Sequence, residues 1–126
     1  MPPQRVRNFR VMDASGDAGK FTGSLVDDLP HGRGEILYPD GRRYKGEFQL
    51  GRWHGEGLAT FPNGDTYSGE YRLDQRHGDG EYRWKDGRIY KGQFFNDVRH
   101  GIGFYQWRDG AVYRGEFWEG ARQGKG

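Results

Sequence analysis

HGEGLATFPNGDTYSGEY, residues 54–71, decides how the chain must be read. It holds His54, Phe61, Tyr67 and Tyr71, four interspersed glycines and little aliphatic bulk. Such a stretch cannot contribute to an aliphatic core. Its rings have to pack against something small, and glycine is what the sequence offers. Asn63-Gly64 between two alternating segments is a strong hairpin signal.

The pattern extends in both directions. Tyr44-Lys-Gly-Glu-Phe48, Tyr67-Ser-Gly-Glu-Tyr71, Tyr90-Lys-Gly-Gln-Phe94 and Tyr113-Arg-Gly-Glu-Phe117 share one form, and Phe21-Thr-Gly-Ser-Leu25 is a softer first copy. Their starts at 21, 44, 67, 90 and 113 keep an unbroken 23-residue step, the mark of a repeat architecture. Counting each repeat from its first ring, position 3 is Gly. Positions 11–14 read His-Gly-x-Gly after His31, His54, His77 and His100. Position 18 is Tyr38, Phe61, Trp84 or Trp107, and positions 20–21 are Asp-Gly or Asn-Gly. A second turn is marked near position 8 by Asp28, Gly51, Asp74, Asp97 and Gly120.

No segment has a helical period, and glycine is too dense for one. The reading is all-β: a single-layer, elongated, twisted antiparallel meander of β-hairpins. Each repeat supplies one strand at positions 1–5 and a second at 12–18, joined by a loop over 6–11. If that loop is symmetric, position 5 faces 12, 3 faces 14 and 1 faces 16. Alternation then puts rings and glycines on one face, ring over bare backbone. The other face, with Lys45, Glu47, Glu56, Ser68, Glu70 and Glu81, is polar. Five repeats at ~10 Å each give a rod of roughly 45 Å. Residues 1–20 form an N-terminal segment in which Arg7–Met12 can add a capping strand. Residues 21–126 are the repeat domain, its last copy incomplete.

Composition agrees with a thin structure. Only 33% of the 126 residues are hydrophobic, yet 16% are aromatic, which separates the chain from disordered sequences. There is no Cys, so neither disulfides nor thiolate metal sites are available. No apolar run approaches the ~20 residues of a membrane helix, and no secretory signal is visible. A net charge of +2 gives no argument for nucleic acid. The expected setting is cytoplasmic.

Tyr-x-Gly-x-Phe, then His-Gly-x-Gly, then Asp-Gly on a 23-residue step resembles the MORN (membrane occupation and recognition nexus) repeat over residues 21–126. The resemblance implies an elongated sheet of β-hairpins. It also implies scaffold or adaptor roles in cytoskeletal or membrane-associated assemblies. Several members are linked to phospholipids, and some carry a catalytic domain beside the repeats. Phe21 and Leu25 depart from the family pattern, which suits a cap. Gln123 replaces the fifth His, and the chain stops inside a strand, as a fragment of a longer protein would.

Candidate sites follow from the faces. The four His stand ~10 Å apart on such a sheet, too far to share a metal, so a bond to neighbouring backbone is expected. No cofactor, nucleophile or acid–base pair is visible, and catalysis within these residues is not expected. His-Gly-x-Gly lacks the following helix that a phosphate-cradling loop needs. The aromatic face, uncovered by any second layer, is read as a partner groove. Its lining is Tyr44, Phe48, Phe61, Tyr67, Tyr71, Trp84, Tyr90, Phe94, Trp107, Tyr113 and Phe117, suited to an extended peptide or amphipathic helix. Phe95, Ile102, Phe104 and Trp118 interrupt the polar face and suggest a homodimer contact or a covering segment. Arg76, Arg99 and Arg122 at position 10 read as a basic row on a solvated edge, open to anionic lipid or an acidic partner. The leading function is a scaffold. The alternatives are a phosphoinositide-binding module or the regulatory region of a larger enzyme.

Overall fold

Rings spaced by glycines along alternating segments become strands throughout. The computed structural model describes residues 3–118 and 121–123, with Trp118 and 121–123 described by backbone alone. The strands are β1 Gln4–Met12, β2 Ala18–Val26, β3 Leu29–Leu37, β4 Arg43–Gln49, β5 Arg52–Thr60, β6 Thr66–Arg72, β7 Gln75–Arg83, β8 Ile89–Phe95, β9 Val98–Gln106, β10 Val112–Trp118 and β11 Ala121–Gln123. They form one antiparallel sheet whose spatial order is the chain order. β1 adds to the first repeat by pairing with β2.

The Asp-Gly and Asn-Gly signals sit in five-residue loops between repeats. In the loop 61–65 the Phe61 amide donates to the Asp65 carbonyl at 2.9 Å, and the Gly64 amide donates back to Phe61 at 3.0 Å. The Asn63 side chain accepts from the Asp65 amide at 3.0 Å. The other inter-repeat loops keep these bonds.

The turn inside repeats 1–4 differs from the symmetric loop expected over positions 6–11. It is a two-residue turn at positions 7–8 with both residues left-handed, as at Leu50 (φ 43) and Gly51 (φ 85) or Leu73 (φ 48) and Asp74 (φ 71). The second strand therefore begins at position 9. Phe48 pairs with Trp53, not with Gly55, while Gly46 still pairs with Gly57. Two extra residues on the second strand, at positions 11 and 12, absorb the difference as a bulge. Gly55 takes φ 76 there, and its missing side chain leaves room for the Glu47 carboxylate. Inside the repeat the expected pairings of 3 with 14 and 1 with 16 hold, as at Gly46–Gly57 and Tyr44–Ala59, and only that of 5 with 12 fails; between repeats all three hold, with Tyr71 facing Gly55, Gly69 facing Gly57 and Tyr67 facing Ala59.

Polar side chains lock the bulges of repeats 2–4. The amide of Glu56 donates to Glu47 Oε2 at 2.9 Å, that of Asp79 to Glu70 Oε2 at 2.8 Å, and that of Ile102 to Gln93 Oε1 at 3.1 Å. Two of the position-11 histidines, His31 and His54, tie one repeat to the next. The amides of Leu50 and Leu73 donate to Nδ1 of His31 and His54 at 3.1 and 3.2 Å. An accepting Nδ1 puts the imidazole proton on Nε2.

The core is a single file of rings. Phe21, Phe48, Tyr44, Tyr71, Tyr67, Phe94, Tyr90 and Phe117 meet edge to face at centroid distances of 5.0–5.5 Å. Each position-1 ring lies over the position-14 glycine of its own repeat: Phe21 over Gly34, Tyr44 over Gly57, Tyr67 over Gly80 and Tyr90 over Gly103. Each position-1 phenol also donates to the position-4 carbonyl. The distances are 2.8, 2.9, 2.7 and 2.9 Å for Tyr44, Tyr67, Tyr90 and Tyr113.

Candidate functional site

The expected open groove is closed along its floor. Tyr44, Phe48, Tyr67, Tyr71, Tyr90, Phe94 and Phe117 are each 5% exposed or less. The cause is curvature. Tyr38 follows the end of β3 and Trp53 lies near the start of β5, so a flat sheet would hold them more than ~20 Å apart. Instead Trp53 Nε1 reaches the Tyr38 hydroxyl at 3.3 Å. Bulges and left-handed turns roll the sheet, both strand ends fold inward, and the rings cover one another. What remains is a trough between the rolled ends. Phe61, Trp84, Trp107 and Tyr113 keep partial exposure along it.

The trough changes character along its length. In repeat 2, Trp53 stacks on Tyr44 with centroids 4.5 Å apart and planes 9° from parallel. Ala59 is the small residue at position 16 that accompanies this indole. In repeats 3 and 4 the same positions hold Arg76 with Tyr82 and Arg99 with Tyr105. Arg76 lies 5.2 Å from the Tyr82 ring centre and 5.1 Å from that of Phe94. Arg99 lies 5.2 Å from Tyr105 and 5.4 Å from Phe117. These are cation–π distances. Arg76 also pairs with Asp97 at 2.8 Å. A cavity of about 340 Å³ opens here, lined by Arg76, Tyr82, Trp84, Phe94, Asp97 and Arg99.

The expected basic row on a solvated edge is thereby corrected. The bulge resets the alternation of the second strand, so position 10 shares the inner face with position 5. Arg76 and Arg99 stand in the trough with the rings; the side chain of Arg122 lies outside the described residues.

One wall is fixed by a buried carboxylate. Asp65 is 7% exposed and accepts the Tyr82 hydroxyl at 2.7 Å and the Lys85 amide at 2.9 Å. Burial pushes its carboxyl up, but these bonds and one from Asn63 outweigh that and hold it below the usual carboxylate range. Burial, then the bond to Asp65, raises the Tyr82 phenol, which stays a neutral donor.

On the convex side Phe95 is 49% and Ile102 62% exposed. Phe95 lies beside the rings of His77 and His100, and Phe104 is partly covered by Arg114 at 5.1 Å. The Trp118 side chain lies outside the described residues. Among those residues no cluster of three or more His, Asp or Glu side chains is placed to hold a metal.

The model of the MORN repeat matches residues 21–42, 44–66, 67–87, 90–112 and 113–126. The chain belongs to the MORN-repeat family. Its five matched copies span the ring-over-glycine core and both parts of the trough. MORN repeats occur in scaffolds of protein and membrane interactions, which sets the general class of this chain. No curated protein matches it.

Sequence reading of these MORN copies missed Tyr82, Tyr105, Arg88 and Trp53. A signal was present. Position 16 runs Ile36, Ala59, Tyr82, Tyr105 while position 10 runs Pro30, Trp53, Arg76, Arg99. The two change together, as neighbours across a bulge would.

Proposed function

We propose that this MORN protein is a non-catalytic scaffold that holds a segment of a protein partner in the trough of repeats 3–5. The observation that carries this reading is the cavity of about 340 Å³ where Arg76 and Arg99 stand among Tyr82, Trp84 and Phe94. Its rings offer apolar contact and its guanidinium groups offer directed donors, the mixture that anchors peptide ligands. Recessed arginines suit an inserted chain better than a planar membrane surface. Peptide display on the wild-type chain, counter-selected on a Trp84→Ser/Trp107→Ser variant of unchanged circular dichroism, tests it. Enriched peptides that lose binding to the variant support the trough. Equal binding to both proteins, or enrichment of none, removes it.

A further inference from the structure

We propose that the convex face of repeat 1 carries a docking site for a carboxylate supplied from outside the repeat. It is built from the Arg33 amide, Gly32, Ser24 and the guanidinium groups of Arg5 and Arg33. The site lies on the face opposite the trough and does not rest on the trough being a partner site.

Repeats 2–4 show what the bulge holds. The glycine at position 12 is left-handed in each, as Gly55 (φ 76), Gly78 (φ 67) and Gly101 (φ 70). Such a turn makes a shallow backbone concavity that takes an anion, with the next amide aimed into it. The position-4 side chain of the same repeat supplies the oxygen. Glu47 Oε2 stands 2.9 Å from the Glu56 amide and Glu70 Oε2 stands 2.8 Å from that of Asp79. In repeat 4 the carboxamide oxygen of Gln93 takes the same place on Ile102 at 3.1 Å. A β-carbon on any of the three glycines would collide with that oxygen.

Repeat 1 keeps the backbone and changes the side chain. Gly32 has φ 76, so the Arg33 amide is presented as those of Glu56 and Asp79 are. Position 4 is Ser24, which is too short to reach it. Ser24 pairs with His31, and the ladder between β2 and β3 passes over Gly32 and Arg33. Among the described residues no side chain accepts from the Arg33 amide. Nothing stands within 4 Å of a β-carbon built on Gly32. Gly32 is exposed, where Gly55, Gly78 and Gly101 are half-buried beneath their acceptors.

The surroundings favour negative charge. Arg5 pairs with Ser24 across β1 and β2, and opposed residues of a sheet share a face. Arg33 stands at position 13 of that face, where repeats 2–4 have Glu56, Asp79 and Ile102. Among the described residues neither Arg5 nor Arg33 forms an ion pair. The nearest carboxylate, Glu47 opposite Arg33, is committed to the Glu56 amide. One amide and one hydroxyl match the two oxygens of a carboxylate, whereas backbone phosphate sites draw on several successive amides. Guanidinium groups beside them strengthen such bonds.

The test uses the full chain, ¹⁵N-labelled, titrated with sodium acetate against sodium chloride at equal ionic strength. The Gly32 and Arg33 amides should shift saturably with acetate and not with chloride. Ser24→Glu should move the Arg33 amide in the same direction without acetate and abolish its response, because the chain then fills the concavity as Glu47 and Glu70 do. Arg5→Gln should weaken acetate binding about fivefold, the share of one charge-assisted bond. An Arg33 amide that ignores acetate, follows chloride equally or still responds in Ser24→Glu overturns the site. A response to sodium phosphate with none to acetate overturns the carboxylate assignment. None of these outcomes bears on the trough, whose test is separate.

Discussion

Tyr44 lies so closely over Gly57 that a β-carbon added to the glycine would overlap its ring. The same ring donates its hydroxyl hydrogen to the Glu47 carbonyl at 2.8 Å. One side chain therefore supplies both the core and the clamp of its hairpin, and Tyr67 and Tyr90 do the same in repeats 3 and 4.

Gly57→Ala should lower stability by about 1–3 kcal/mol, the cost of overfilling a packed core. Urea unfolding measures it. The backbone of Gly57 is not left-handed, so the loss reports the ring contact and not φ. A change below about 0.5 kcal/mol would deny that the ring rests on this backbone.

Two tyrosines should respond to the same substitution with opposite sign. The Tyr67 hydroxyl bonds the Glu70 carbonyl at 2.9 Å, and Tyr67→Phe should cost about 1 kcal/mol. The Tyr71 hydroxyl is buried without a partner. Repeats 2, 4 and 5 carry Phe at its position. Tyr71→Phe should stabilise the protein by about 1 kcal/mol, because an unpaired buried hydroxyl is removed. Parallel urea curves decide; destabilisation by Tyr71→Phe counts against this account.

Glu70→Ala should expose the bulge, since the Asp79 amide loses its acceptor at 2.8 Å. A loss of about 1 kcal/mol and faster hydrogen exchange at Asp79 are expected. Glu70→Gln should retain most of both, because Gln93 performs the task in repeat 4. If Ala and Gln behave alike, the acceptor is not what matters.

Burial pushes the Tyr90 phenol from 10.0 up to about 12. The fold keeps this group neutral longer than the unfolded chain does. Its contribution is therefore intact below pH 10.0 and is lost as pH climbs through about 12. Phenolate absorption followed with circular dichroism should show the core tyrosines ionising together with unfolding. Independent titration of all 8 tyrosines near pH 10.0 in a folded protein would contradict the buried ring file.

Much of the fold was legible because it is written locally and repeatedly. The 23-residue step, the pairing of rings with glycines and the Asp-Gly loops all follow from residues near in sequence. The internal turn was not legible. Leu50 and Leu73 adopt φ above zero, which leucine disfavours. What holds them there is a histidine one repeat away. The bulge was hidden for a similar reason, as its support comes from Glu47 or Glu70 on the neighbouring strand. One error of register then left Arg76 and Arg99 on a solvated edge and the rings in an open groove. The docking of Ala14 on Gly51 crosses 37 residues and has no local trace at all.

Strand order in space repeats strand order in the chain, so every hairpin finds its neighbours without closing a long loop. Assembly can start at any pair and spread both ways, and stability accumulates as a sum over adjoining units. Length is then adjustable in whole modules: excising residues 67–89 should bring strands with matching edges into contact and yield a shorter protein that still folds.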